Sequence, residues 1–108
     1  MILQMNPASL QQRLADHALP APLLIDVRED WEYRLCHIAG SVSIPLARIP
    51  ERIAALDPAQ ETVLICHHGV RSQRAALYLE QRGFVRLGNL EGGIDAWAAM
   101  VDPAMPRY

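Results

Sequence analysis

Apolar residues along the chain follow two rhythms that alternate from end to end. Short, largely apolar runs stand at 23–27 (LLIDV, interrupted by Asp26), 42–45 (VSIP), 63–66 (VLIC) and 84–87 (FVRL). Runs of this length, too brief for a stable helix, read as strands covered on both faces. Between them the apolar positions recur every three or four residues. Leu10, Leu14 and Ala18 set the buried stripe of a first helix, which Asn6 caps, Pro7 opens, and Pro20 and Pro22 close after about His17. Ile49, Ile53 and Leu56 mark a short helix that stops before Asp57 and Pro58. Ser72, Ala75, Ala76 and Leu79 mark a helix whose small residues let it lie close on a sheet; Gly83 ends it and Phe84 can fold back onto Leu79. With an edge strand at 2–4 and a last helix within GNLEGGIDAWAAM, strand and helix alternate throughout. That order predicts an α/β fold: a three-layer α/β/α domain around a five-stranded parallel sheet with right-handed crossovers.

Length adds that 108 residues make one domain, with its core at about 5–101 and residues 102–108, which include Pro103 and Pro106, expected as a loosely attached tail. A chain that is 51% hydrophobic and 20% charged is no disordered polymer. The net charge is -2, and the ten arginines, with no lysine, form no cluster, so no nucleic-acid partner is expected. Two cysteines, Cys36 and Cys66, are too few for a disulfide-framed secreted domain. No run approaches membrane-spanning length and the first residues have no signal-peptide pattern, so the expected place is the cytoplasm, away from membranes.

The chemistry concentrates where the strand at 63–66 turns into the following helix. Cys66, His67, His68, Gly69, Val70, Arg71 and Ser72 form that turn. A strand running straight into a helix leaves several N–H groups converging without partners, which makes a pocket for an anion. Here the nearest anion is the Cys66 sulfur, since those N–H groups, the positive helix end and the Arg71 guanidinium all favour a thiolate. Gly69 suits the tight backbone turn. Four residues separate Cys66 from Arg71, one fewer than in the loops of cysteine phosphatases, and the smaller ring suits one extra sulfur atom better than a phosphoryl group. His67 and His68 beside Cys66 raise a metal reading, but adjacent side chains converge poorly on one ion, so no metal is expected.

CHHGVRS resembles the active-site loop of the rhodanese family of sulfurtransferases. Two further stretches carry the same resemblance. LLIDVREDWEY, with Asp26, Arg28, Glu32 and Tyr33, is similar to a rhodanese signature whose Asp and Arg link the loops around the site. LEGGIDAW is similar to the family's C-terminal signature, in which Gly92 and Gly93 allow close backbone approach to the active loop. CHIAGS matches a third pattern at His37, Ile38 and Gly40, but has Cys36 where Gly is usual and Ser41 where Ala is. Cys36 is thus a second thiol that could resolve a persulfide or disulfide on Cys66, although a semi-buried spectator fits the sequence better.

The resemblance implies a sheet order of 1-5-4-2-3 and a thiosulfate sulfurtransferase without cofactor. Cys66 would carry a persulfide, while Arg71 and the N–H groups from His67 to Ser72 hold the substrate. The donor would be thiosulfate or another sulfane-sulfur compound, and the acceptor cyanide, a small thiol or a thioredoxin-like protein. Three readings compete: a phosphatase or arsenate reductase, a non-enzymatic rhodanese-like binding module, and a persulfide relay to a protein in thiolation or cofactor synthesis. A monomer or a homodimer suits any of them.

Overall fold

The computed structural model describes all residues from Met1 to Tyr108. Five strands form one all-parallel sheet: β1 (Ile2–Met5), β2 (Leu23–Asp26), β3 (Val42–Ser43), β4 (Thr62–Ile65) and β5 (Leu87–Leu90). Their order across the sheet is β1-β5-β4-β2-β3, as the resemblance implies. The helices are α1 (Pro7–Ala15), α2 (Asp30–Leu35), α3 (Ile49–Arg52), α4 (Val70–Gln81) and α5 (Gly93–Met100). α3 lies between two 3-10 turns, Leu46–Arg48 and Ile53–Ala55. No helix is long and apolar enough to cross a membrane.

The alternation of side chains along each strand divides the interior into two cores. Ile25, Leu64 and Leu87 point to one face of the sheet, where Ile49 and the α4 residues Ala75, Ala76 and Leu79 cover them. Leu24, Val63, Ile65 and Leu90 point to the other, against Leu10 of α1 and Ile94 and Trp97 of α5. Both faces are dry, which explains why β2 and β4 read as near-continuous apolar runs. The expected helix face holds: Ser72, Ala75, Ala76 and Leu79 are the buried residues of α4.

Four local features differ from the sequence expectation. The fifth strand lies at Leu87–Leu90 and not at 84–87, because β5 takes its register from β4, pairing Thr62 with Leu87 and Val63 with Gly88. Phe84 instead closes α4, its N–H donating to the Leu79 carbonyl at 3.1 Å. α1 stops at Ala15, where the Asp16 carboxylate accepts from the N–H of Ala18 and turns the chain. Helix α2 has no apolar stripe long enough to announce it; Glu32 Oε1 closes its first turn by accepting the Glu29 N–H at 2.9 Å. Finally, residues 102–108 are not a free tail. Val101 and Asp102 donate their N–H groups to the Trp97 carbonyl, and Arg107 reaches Asp95 at 3.0 Å. Beyond them the Tyr108 ring stacks on His67 at 4.0 Å.

Candidate active site

Cys66 follows β4 directly and shares the face of Leu64, so its side chain points under the first turn of α4. Gly69, at φ +104°, makes the reversal that a side chain at this position would resist. Its N–H donates to Cys66 Sγ at 3.0 Å, and the Ser72 hydroxyl lies 3.2 Å from the same sulfur. Val70, Arg71 and Ser72 open α4 with N–H groups that have no backbone acceptor, so the helix presents its positive end here.

The opposite side of the loop is tied down by α5. The carbonyls of Cys66 and His67 accept from the N–H groups of Ile94 and Asp95 at 2.8 and 3.1 Å. Each trans peptide sets its N–H opposite its carbonyl, so this anchoring turns the N–H groups of His67 and His68 away from α5. Gly93 makes the approach possible: a Cβ there would stand 2.4 Å from both carbonyl oxygens, at a backbone φ of +63°. Gly93→Ala is therefore expected to cost roughly 2–3 kcal/mol and to disturb the loop itself. Thermal melts together with the rate of Cys66 alkylation check both parts.

Arg71 does not touch the sulfur. Its guanidinium forms a fork with Glu32, Nη1 to Oε1 at 2.6 Å and Nη2 to Oε2 at 2.9 Å. Tyr108 adds to this pair by donating its hydroxyl to Glu32 Oε2 at 2.6 Å while accepting from Arg28 Nη1 at 2.9 Å. Burial, helped by that bond to Glu32, pushes the phenol up to about 12. Arg28 and Asp26 are both 0% exposed and pair through Nε and Nη2 at 2.8 and 2.7 Å. Arg28 also donates to the Cys36 carbonyl at 2.6 Å. Thus β2, α2, residue 108 and the Cys66 loop are joined by one chain of charge-assisted bonds.

Glu32 carries a pH signature. The bonds from Arg71 hold its carboxyl down to about 2, against an ordinary 4.5, even though burial works the other way. A depressed carboxyl contributes stability that is fully present above about 4.5 and is lost as pH falls through about 2. With Arg71 one-third exposed, about 2 kcal/mol is expected from this source, and melts of the parent and Glu32→Gln should converge across that acid window.

His67 sits between His68 and Tyr108, ring to ring at 4.0 Å on each side. Burial, reinforced by the neighbouring His68 charge, pushes the His67 imidazolium down, so this ring is neutral at neutral pH. The nitrogen and oxygen ligand atoms of His67, His68 and Asp95 lie within 4.8 Å of one another. Asp95 reaches the histidines from the first turn of α5. Stacked imidazoles send their ring-nitrogen lone pairs side by side rather than to one point, and Arg107 already holds Asp95, so the trio is poorly shaped for an ion.

Several expectations are redrawn by this geometry. Cys66 through Ser72, Gly92 and Gly93 come together, while Asp26 and Arg28 sit behind the site and brace it through Tyr108 and Glu32. Cys36 cannot reach Cys66: it packs with Ile38, Ile65 and Trp97 on the far face of the sheet. Asn89 and Tyr108 join the site without having been expected there, and Glu32, which stands in one of the motifs, takes a part the motif did not indicate. Asn89 was hidden because Gly88 and Asn89 read as a turn ahead of the last helix. Glu32 and Tyr108 gave no signal of the roles they take, because both act across long chain separations.

Comparison with known proteins agrees with the fold. The Rhodanese-like domain profile matches residues 6–100. A sulfurtransferase of Allochromatium vinosum is 38% identical over 98 residues, covering 91% of this chain and 90% of that one. The thiosulfate sulfurtransferase GlpE of Pseudomonas paraeruginosa is 38% identical over 77 residues, covering 71% and 70%. A crystal structure of a rhodanese-related protein from Thermoplasma volcanium superposes with a TM-score of 0.81 at 31% identity, covering 92% of this chain and 93% of that one. By its family profile, its strand order and its sequence relatives, the chain belongs to the rhodanese-like domain family.

Proposed function

We propose that this protein is a sulfurtransferase that carries sulfane sulfur on Cys66. The observation that supports this best is the sulfur's setting: at a strand end, 3.0 Å from the Gly69 N–H, beneath a helix terminus with unpartnered N–H groups. Cys66 thiolate attacks the outer sulfur of thiosulfate. A Cys66 S–S bond forms, the bond to the sulfonate sulfur breaks, and sulfite leaves with the electron pair. The product is a Cys66 persulfide anion, whose terminal sulfur takes up the loop N–H groups. Cyanide or an acceptor thiolate then attacks that outer sulfur, and the Cys66 thiolate leaves. Sulfite is a good leaving group, so no strong general acid is required. Arg71, neutralised by Glu32, serves here chiefly to hold the loop and lend residual positive charge, a weaker part than direct sulfonate binding.

Cys66 is 1% exposed and lines none of the cavities in the molecule. A donor therefore gains the sulfur by displacing side chains at the mouth, where Tyr108 rests on His67. Trp31, 61% exposed and edge-on to Tyr108, and Val70, 65% exposed, give that mouth an apolar rim. Such a rim favours a protein thiol as the physiological acceptor, with cyanide as its laboratory surrogate. Steady-state transfer from thiosulfate to cyanide tests the function: parallel lines in double-reciprocal plots, with no p-nitrophenyl phosphate hydrolysis, are expected. Phosphatase turnover without transfer would overturn it.

A further inference from the structure

Behind Cys66 a line of polar side chains runs out of the site to the opposite edge of the sheet. The Ser72 hydroxyl, 3.2 Å from Sγ, also meets Asn89 Oδ1; Asn89 Nδ2 donates to Gln4 Oε1 at 2.9 Å; Gln4 Nε2 donates to Gln73 Oε1 at 2.7 Å. Ser72 is 0% and Asn89 3% exposed, whereas Gln4 is exposed on β1. The proposed sulfur transfer does not use this line, and an apolar strand has no need of an asparagine at its centre.

The Ser72 hydroxyl has one proton and two acceptors within reach. While Cys66 is a thiol, its S–H can donate to Ser72 Oγ, and the serine proton is free for Asn89. When the thiol proton leaves to solvent, the sulfur becomes an acceptor only and needs that serine proton. Turning the hydroxyl would strand Asn89 Oδ1, which is buried, without a donor. A half-turn of the Asn89 amide repairs this, since Nδ2 then donates to Ser72 Oγ. Gln4 follows with a half-turn of its own, offering Nε2 to Asn89 Oδ1, and Gln73 or water completes the line at the surface. The half-turn takes Asn89 Nδ2 off the Gly69 carbonyl, which it also meets at 3.3 Å, so the reversal gives up one long bond at a carbonyl that keeps the Gln73 N–H and gains a charge-assisted one at the sulfur.

We infer that Asn89 and Gln4 are positioning residues whose amides reverse together, so that Ser72 donates to Cys66 whenever its sulfur is anionic. The inference concerns the thiolate that the proposed sulfur transfer rests on, but it holds or fails without any transfer being measured. The other charged or titratable groups near the sulfur are His67, His68 and Arg71 of its own loop, Glu32 of α2, Asp26 and Arg28 from β2, Asp95 and Arg107 beside α5, and Tyr108. They are common to every variant below, so their effect cancels in comparison with the parent.

Gln4→Glu separates the reversal from ordinary structure. A carboxylate at position 4 accepts but cannot donate, which locks Asn89 with Oδ1 toward Ser72 and holds the serine proton away from the sulfur. The residue is exposed on an edge strand and out of contact with Cys66, so folding is preserved. The readout is iodoacetamide alkylation of Cys66 against pH, located by peptide mass, at low salt and at 0.5 M salt, where the field of a distant exposed charge is screened within about 4 Å. The expected result is a profile moved to higher pH, with about threefold slower alkylation at neutral pH, at both salt concentrations. In Ser72→Ala the Gln4→Glu substitution should then have no effect, because the proton it redirects is gone. A parent-like profile for Gln4→Glu at high salt, or an equal displacement with and without the Ser72 hydroxyl, would overturn the inference. If the profile moves as stated but thiosulfate leaves no sulfur on the protein, the reversal stands and the proposed function falls.

Discussion

Cys66→Ala is expected to abolish transfer from thiosulfate to cyanide, by about a thousandfold or more, in a domain that stays folded. Nothing else in the site can take over as nucleophile: Ser72 is fully buried with its hydroxyl between Cys66 and Asn89, and Cys36 lies across the sheet. Nor does the loop depend on the sulfur for its shape. Its carbonyls are held by Ile94 and Asp95, and Arg71 by Glu32, so the alanine variant loses one thiol and about 1 kcal/mol of packing. Cys66→Ser should be as inactive as Cys66→Ala, since a serine hydroxyl in this cradle has no adjacent base to activate it. Initial rates beside circular dichroism decide the matter. Transfer that persists in a folded Cys66→Ala protein would place the chemistry elsewhere.

Arg28→Met is expected to be the most damaging change to stability outside the apolar core, at about 3–5 kcal/mol, a large share of the 5–15 kcal/mol that holds a domain together. Arg28 and Asp26 are both wholly buried. Removing the guanidinium leaves Asp26 with the Arg28 backbone N–H as a remaining donor, at 3.1 Å, and a charge with no partner. It also withdraws donors from the Cys36 carbonyl and from Tyr108, so the support behind Glu32 loosens with it. Adding Asp26→Asn removes the stranded charge and should recover about half of the loss. Urea unfolding of the single and double variants measures both values. A loss below about 1 kcal/mol for Arg28→Met would show the pair to be dispensable.

Strand and helix rhythms were legible because both faces of the sheet are buried, so β2 and β4 could hold little but apolar residues. The turn from β4 into α4 was legible too, since Gly69, Arg71 and Ser72 stand in order behind Cys66. The position of β5 was not, because Gly88 and Asn89 look like a turn until register with β4 makes them strand. α2 was missed since six residues with one buried side chain, Glu32, show no apolar period. Tyr108 was read as tail because its anchorage comes from Arg28, Glu32 and His67, partners 41 to 80 positions away. Periodicity reports what faces the core; it is silent on polar groups that meet from distant parts of the chain.

Everything functional here rests on Cys66 holding a second sulfur as an anion within the loop's N–H groups. Intact mass of the protein after incubation with thiosulfate tests this most directly. The account predicts a gain of one sulfur atom, assigned to the Cys66 peptide, absent from Cys66→Ala and removed by cyanide. An unchanged mass in the folded parent, or sulfur found on Cys36 instead, would contradict it.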